Sequence, residues 1–392
     1  MKTTDRFGTV KAAYTAFFAA RLLTGCSTLH IPDHVAAASE QQRYYSLPQN
    51  KPAFEAYIRK VGKTSVSIDS EKLAKAIDFA KGFIKRVTRE VPTPPIIAHE
   101  MLVNGDFELG GRRASQIIME DGAFFYEPGD GGILIQEPHP FQFLSMFART
   151  GIPLDTEFKL QTRIGGQVKI VTLQQILDSQ VSDLYTIVKN PLDLGWFLIA
   201  VGAYYQINLG EYPGIKDRID DAFYASFLQG IEMHKGIDGG MEVIGEARLP
   251  GEPRYGSCYN THLTEGLIVA TASFEGAEAY QPLIRKLMRK HLEHMTQVLY
   301  AEENGLQPKD YLWVLSHFIE VYAYAAKYGF ELTEEERNVV RYAVNKVVEL
   351  VTNSDAYLDG IEEAYQKMRV LSYLSHGLHG IVLLRQAGVL CE

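Results

Sequence analysis

Cysteine is scarce: Cys26, Cys258 and Cys391 are the three in 392 residues. Three dispersed thiols cannot make a disulfide scaffold. No apolar run reaches the roughly 18 to 20 residues that a membrane-spanning helix needs. Positive charge is not in excess either. Lys and Arg number 39 against 48 Asp and Glu, a net charge of -9, so the chain lacks the electrostatic footprint of a nucleic-acid binder. The P-loop, the Gly-rich dinucleotide turn, GxSxG, HExxH and the EF-hand loop are all missing. Trp occurs twice, whereas Tyr occurs 22 times. What remains, 46% apolar and 22% charged residues, is the balance of a globular protein rather than a disordered one.

The first residues have the order of an export signal. Lys2, Arg6 and Lys11 form a basic start, Ala12 to Ala20 (AAYTAFFAA) is a short apolar stretch, and Leu23-Thr24-Gly25-Cys26 follows. This resembles a bacterial lipoprotein signal with its lipobox. The resemblance implies cleavage after residue 25, lipidation of Cys26 and a membrane attachment made only by acyl chains. Ser27 after the cysteine points to the outer membrane, with the protein facing the periplasm. Loss of residues 1–25 removes four basic groups and one acid, taking the net charge from -9 to -12. The other reading is a short amphipathic helix of a cytoplasmic protein.

Residues 26–69 read as a tether and N-terminal segment, with a short helix near Phe54–Val61. Residues 70–392 read as a single helical domain. Leu73, Ile77, Ala80, Ile84 and Val87 are spaced for one helical face over 71–88. Pro92, Pro94 and Pro95 end that helix, and a further short helix is expected over Ile96–Val103. The segment 104–136 is dense in glycine and carries β-like runs at Gln116–Met119 and Ile133–Gln136, which predict loops with a small hairpin. From Phe141 the chain reads as helical, with helices over 141–150, 172–188, 192–209, 215–235, 261–274, 278–300, 311–329, 334–352 and 360–387. Thr333 and Glu336 form a capping-box pattern with Leu332 placed as a hydrophobic staple.

Alternate helices (192–209, 261–274, 311–329 and 368–387) are apolar nearly all round, while 215–235, 278–300 and 334–352 are more charged. A helix apolar on every side is buried on every side. The alternation resembles the α/α toroids of terpenoid cyclases, several glycoside hydrolases and some polysaccharide lyases, in which one ring of helices encloses another. The fold class is therefore mostly α, a toroid-like ring of hairpins with a small Gly-rich loop and β segment. An irregular helical bundle or solenoid is the alternative. Asp220-Asp221 lacks the third acid of terpenoid-synthase metal motifs, which argues against isoprenoid chemistry.

Histidines recur on the apolar helices. His262, His317 and His376 lie 55 and 59 residues apart, so inward-facing helices would bring one imidazole each to a shared, solvent-filled hollow. The densest polar segment runs Arg254-Tyr255-Gly256-Ser257-Cys258-Tyr259-Asn260-Thr261-His262-Leu263-Thr264-Glu265. Toroid polysaccharide lyases use Asn or Arg to neutralise a uronate and a His/Tyr pair to move protons. That likeness makes His262, Tyr259, Asn260, Glu265 and His376 catalytic candidates. Arg254, His99, His139, Trp196, Tyr204, Trp313, His317 and His379 are candidates for substrate binding. His376 and His379 stand in Ser-His-Gly-Leu-His-Gly, where Gly377 and Gly380 suggest close approach by a backbone or ligand. A zinc set of Cys258, His262, His376 and His379 is a second chemistry, and a Cys258–His nucleophile a third. His234, His291 and His294 sit among Lys, Arg and Glu and read as solvated surface groups. No cofactor is required by the leading reading, an exported lipoprotein acting as a lyase or hydrolase on an envelope or extracellular polymer. Its alternative is a non-catalytic envelope scaffold that binds a polymer or small ligand in a helical cavity.

Overall fold

The computed structural model describes residues 51–126, 132–135, 141–162, 166–182, 194–204, 257–274, 276–303, 308–353, 361 and 364–390. Cys26 with its signal, the helix over 215–235, Arg254, His139, His234 and Cys391 lie outside these residues. Mostly α is the class: among the described residues there are twelve α-helices and a few short strands. No described helix is long and apolar enough to cross a membrane.

Helix α1 (Lys51–Lys63) and helix α2 (Ser70–Glu90) come first. Asp69 caps α2, its carboxylate accepting from the Glu71 and Lys72 amides at 3.0 Å each. The prolines predicted to end α2 also begin the next helix. Pro94 and Pro95 occupy the first turn of α3 (Pro94–Asn104), where a missing N–H costs nothing. Gly105 ends α3 at φ +65°.

The stretch after α3 corrects the sequence reading in two places. Gln116–Met119, taken as β-like, is helical: α4 spans Ala114–Ile118 and a π-turn follows over Met119–Ala123. Arg112 pins that turn by donating to both Asp121 oxygens and to Glu120. The chain is also not wholly helical after Phe141. Glu157–Thr162 and Val168–Thr172 form an antiparallel pair, and they join Phe124–Tyr126 and Ile133–Ile135 in a four-stranded sheet. In chain order these are β3 (124–126), β4 (133–135), β5 (157–162) and β6 (168–172), after the two-residue strands β1 (Glu108–Leu109) and β2 (Arg112–Arg113). Strand β5 alternates exposed and buried residues without a break. That period of two was present in Glu-Phe-Lys-Leu-Gln-Thr.

The remaining helices are α5 (Gln142–Thr150), α6 (Leu173–Ser182), α7 (Leu194–Tyr204), α8 (Ser257–Ser273), α9 (Gln281–Glu303), α10 (Pro308–Lys327), α11 (Glu334–Thr352) and α12 (Ala364–Gln386). Their packing forms a circuit. Helix α3 packs on α5, α5 on α7, α7 on α8, α8 on α10, α10 on α12, and α12 on α3 again. Four of these carry the all-round apolar sequences, and their described residues are almost entirely buried. The more charged α9 and α11 pack outside this circuit with α1 and α2. Asn338 on α11 donates to the Gly62 carbonyl at 3.0 Å, tying α1 to the outer layer. The Thr333/Glu336 capping box forms, with both reciprocal bonds present, and Leu332 beside it is buried.

Glycines let the inner helices come close. A Cβ on Gly195 would lie 2.6 Å from Leu263 Cα, and one on Gly380 would lie 2.9 Å from Glu320 Cα. At Gly377 and Gly380, then, the approaching partner is helix α10.

Candidate metal centre

Seven side chains from four helices meet inside the circuit. Helix α8 supplies His262 and Glu265, α10 supplies His317 and Glu320, and α12 supplies His376 and His379. Helical geometry puts residues three apart on one face, so each helix presents a pair. Helix α5 contributes Arg149 from its last turn.

Arg149 holds the two acids together. Its guanidinium donates to Glu265 Oε2 at 2.6 Å and to Glu320 Oε1 at 3.1 Å. Glu320 serves two further donors: His376 Nδ1 reaches its Oε2 at 2.6 Å and His379 Nδ1 reaches its Oε1 at 2.6 Å. His262 Nδ1 stands 2.9 Å from Glu265 Oε2. Glu320 is held as a carboxylate and only accepts, so its contacts put the proton of His376 and of His379 on Nδ1. Three imidazoles then converge. Ring centroids lie 4.9 Å apart for His262–His376, 4.5 Å for His317–His376 and 5.3 Å for His262–His317. One ligand atom from each of the three falls within 4.8 Å of the others, and His262, Glu265 and Glu320 make a second such set.

The walls are aromatic. Trp196 lies 4.0 Å from the His262 ring centre, and Arg149 lies over both Trp196 and Tyr324. His99 packs edge-on to His376 at 5.2 Å, its Nδ1 donating to the Pro95 carbonyl at 2.6 Å.

The site is dry. His262, His317 and His376 are each 1% exposed, and both carboxylates are fully buried. The sequence reading placed these rings around a wet hollow. The rings do meet, but Arg149, Glu265 and Glu320 fill the space beside them. Burial penalises an imidazolium, so His262 is held well below its ordinary pKa by burial and then by His376. Burial lowers His376 to about 3 and His99 to about 4. His379 is lowered by the same cause. All four are neutral near pH 7, as metal ligands must be. The two acids separate. Burial and then the Glu320 charge push Glu265 well up. Burial opposes the Glu320 carboxylate too, but His376 and Arg149 outweigh it and hold Glu320 well below the carboxylate range. Burial likewise opposes the Arg149 cation, and Tyr324, Glu320 and Glu265 overcome it.

Of the residues singled out in the sequence, His262, Glu265, His317, His376 and His379 meet here, with Trp196 and His99 against them. Tyr204 does not: its hydroxyl donates to the Ile152 carbonyl at 2.8 Å, an ordinary packing role. Arg254 and His139 lie outside the described residues. Cys258, Tyr259 and Asn260 fall on the first turn of α8 and Trp313 on α10, but their side chains lie outside the description. His379 takes its place as a partner of Glu320 rather than in the three-imidazole set. His291, read as solvated, is buried. It shares a 2.7 Å hydrogen bond with Thr264, and burial lowers its pKa to about 4.

Two members were missed, Arg149 and Glu320. For Glu320 a signal existed. Thr261-His262-x-x-Glu265, Ser316-His317-x-x-Glu320 and Ser375-His376-x-x-His379 repeat one pattern: a hydroxyl, an imidazole, and a second polar group three residues on. Each sits alone on an apolar helix. Arg149 had none beyond a cation closing an apolar helix.

Away from the centre, Lys81, Lys85 and Arg89 lie at four-residue spacing along α2. They line a groove of about 430 Å³ with Glu100 and Asn104 of α3. Glu100 follows His99 in sequence and accepts from the Asn104 amide at 3.0 Å. No family model, curated protein or solved structure matches this chain.

Proposed function

We propose that the protein is a metal-dependent enzyme of the bacterial envelope, with His262, His317 and His376 as the ligands of one divalent transition-metal ion. One observation carries the reading: three buried imidazoles from three separate helices gather their nitrogens, and two of them have Nδ1 within hydrogen-bond distance of a buried glutamate. That carboxylate–histidine arrangement fixes tautomer and ring orientation and raises ligand basicity. His262 Nε2, buried with no hydrogen-bond partner, is the kind of orphaned acceptor that a metal satisfies. Three His ligands suit zinc or cobalt and keep a fourth position open.

An ion held by these residues would lower the pKa of a bound water toward neutrality. The chain's own groups then have distinct tasks. Glu265, with Oε1 unpartnered and its pKa raised, gives a proton and takes it back. Arg149 supplies positive charge where negative charge develops. Glu320 positions His376 and His379. These roles fit hydrolysis or β-elimination on a polymer, the reaction classes expected from the sequence. The cationic row of Lys81, Lys85 and Arg89 supports an acidic polymer as the substrate class, with α3 linking groove to centre. The circuit of helix contacts supports a toroid-like arrangement. Lipidation at Cys26 would hold the enzyme at the outer membrane.

The test is metal content. The purified full chain, equilibrated with Zn²⁺ or Co²⁺ and desalted, should retain one equivalent. His317→Ala should retain less than a tenth of that. A wild-type chain that retains none overturns the reading.

A further inference from the structure

We infer that Arg149 is a built-in substitute for a second metal ion: its guanidinium occupies a cation position formed by Glu265, Glu320 and His262, and so keeps the centre mononuclear. The inference rests on the three-histidine reading and adds a second site to it.

The geometry has three parts. The ligand atoms of His262, Glu265 and Glu320 gather within 4.8 Å, as those of the three imidazoles do, and the two sets share His262. The shared residue is an imidazole with one lone pair on each nitrogen, so it can face one position through Nε2 and the other through Nδ1. The position is already filled by a cation. Arg149 contacts every member of the set: Glu265 at 2.6 Å, Glu320 at 3.1 Å and His262 Nδ1 at 3.3 Å. Finally, the guanidinium is sealed in. Its side chain is 1% exposed, with the rings of Trp196 and Tyr324 beside it at 5.6 and 5.2 Å. A guanidinium stays charged at every accessible pH, so it is a permanent occupant rather than a titratable one.

Charge sets the consequence. One guanidinium neutralises one carboxylate, and a dication neutralises two. A divalent ion in the guanidinium's place takes Glu265 and Glu320 as its ligands. Replacing Arg149 with a neutral side chain of similar length therefore opens a second site. Replacing it with Lys keeps the positive charge and keeps the site closed.

The experiment is Co²⁺ titration of the full chain, followed by visible absorption and by electron paramagnetic resonance. Wild type and Arg149→Lys should saturate at one equivalent with the spectrum of an isolated ion. Arg149→Met should saturate at two, the second ion coupling magnetically to the first and thereby reporting adjacency rather than a stray surface site. Arg149→Met leaves the acids without a counter-charge, so its thermal midpoint should rise with added Co²⁺ by several times the wild-type response. One uncoupled equivalent in Arg149→Met overturns the inference and leaves the three-histidine reading intact. So does failure of Arg149→Met to fold in excess Co²⁺ while Arg149→Lys folds without it. Absence of any bound ion in wild type overturns both.

Discussion

His262 and Glu265 on α8 stand three residues apart, and so do Lys290 and Glu293 on α9. Both pairs share a helix face, and both are close, at 2.9 and 3.2 Å. The first pair is essentially unexposed, whereas the members of the second are each 24% exposed. Water screens the α9 pair and could replace either partner, so it contributes little. Bulk solvent does not reach the α8 pair, where each polar atom depends on the few groups nearby. The same spacing thus yields decoration in the outer layer and an interdependent network in the inner one.

Glu320→Ala is the largest predicted break in that comparison. It strands Arg149 and the Nδ1–H groups of His376 and His379 in a dry interior. The expected loss is about 3 to 5 kcal/mol, the cost of removing one partner of a buried charge pair. Denaturant unfolding measures it, and a loss no greater than that of a surface pair would erase the contrast between the layers.

Next is the response to acid. His291 has a folded pKa near 4, below the ordinary value of about 6.5. Between those values the unfolded chain binds a proton that the folded chain refuses. Stability must therefore fall as pH drops through that window, by up to about 1.4 kcal/mol per pH unit from this residue. His291→Gln, which preserves an amide at the Nε2 position facing Thr264, should flatten the wild-type slope between pH 6 and 5. Parallel slopes would show that His291 is not a buried neutral group.

Smaller effects belong to the outer layer. Thr333→Ala removes the cap of α11, whose hydroxyl accepts from the Glu336 amide at 3.2 Å, and should cost about 1 kcal/mol. Lys290→Ala should cost well under about 1 kcal/mol, with no change in bound metal. A Lys290 effect as large as that of Glu320 would mean that burial does not divide the two layers.

Much of this organisation was legible in the chain. The all-round apolar character of 261–274 and 311–329 announced burial, and Thr333-Glu-Glu-Glu336 announced a helix start to the residue. The β5–β6 hairpin was overlooked because its runs are short and lie between strong helical patterns, although β5 alternates cleanly. His291 was misjudged because its neighbours Arg289, Lys290 and Glu293 are polar. A helix with one wet face can still turn a lone imidazole toward the other.

Local order along the chain specified which helices are buried, where they begin, and that three of them carry an imidazole followed three residues later by an acid or another imidazole. Periodicity and capping are short-range properties, readable within a turn or two of helix. The chain folded in space settled which charges share a neighbourhood. Arg149 reaches Glu265 across 116 positions and Glu320 across 171. A buried ion is tolerated only beside its counter-ion, and that meeting depends on how the helices pack, which no local pattern encodes.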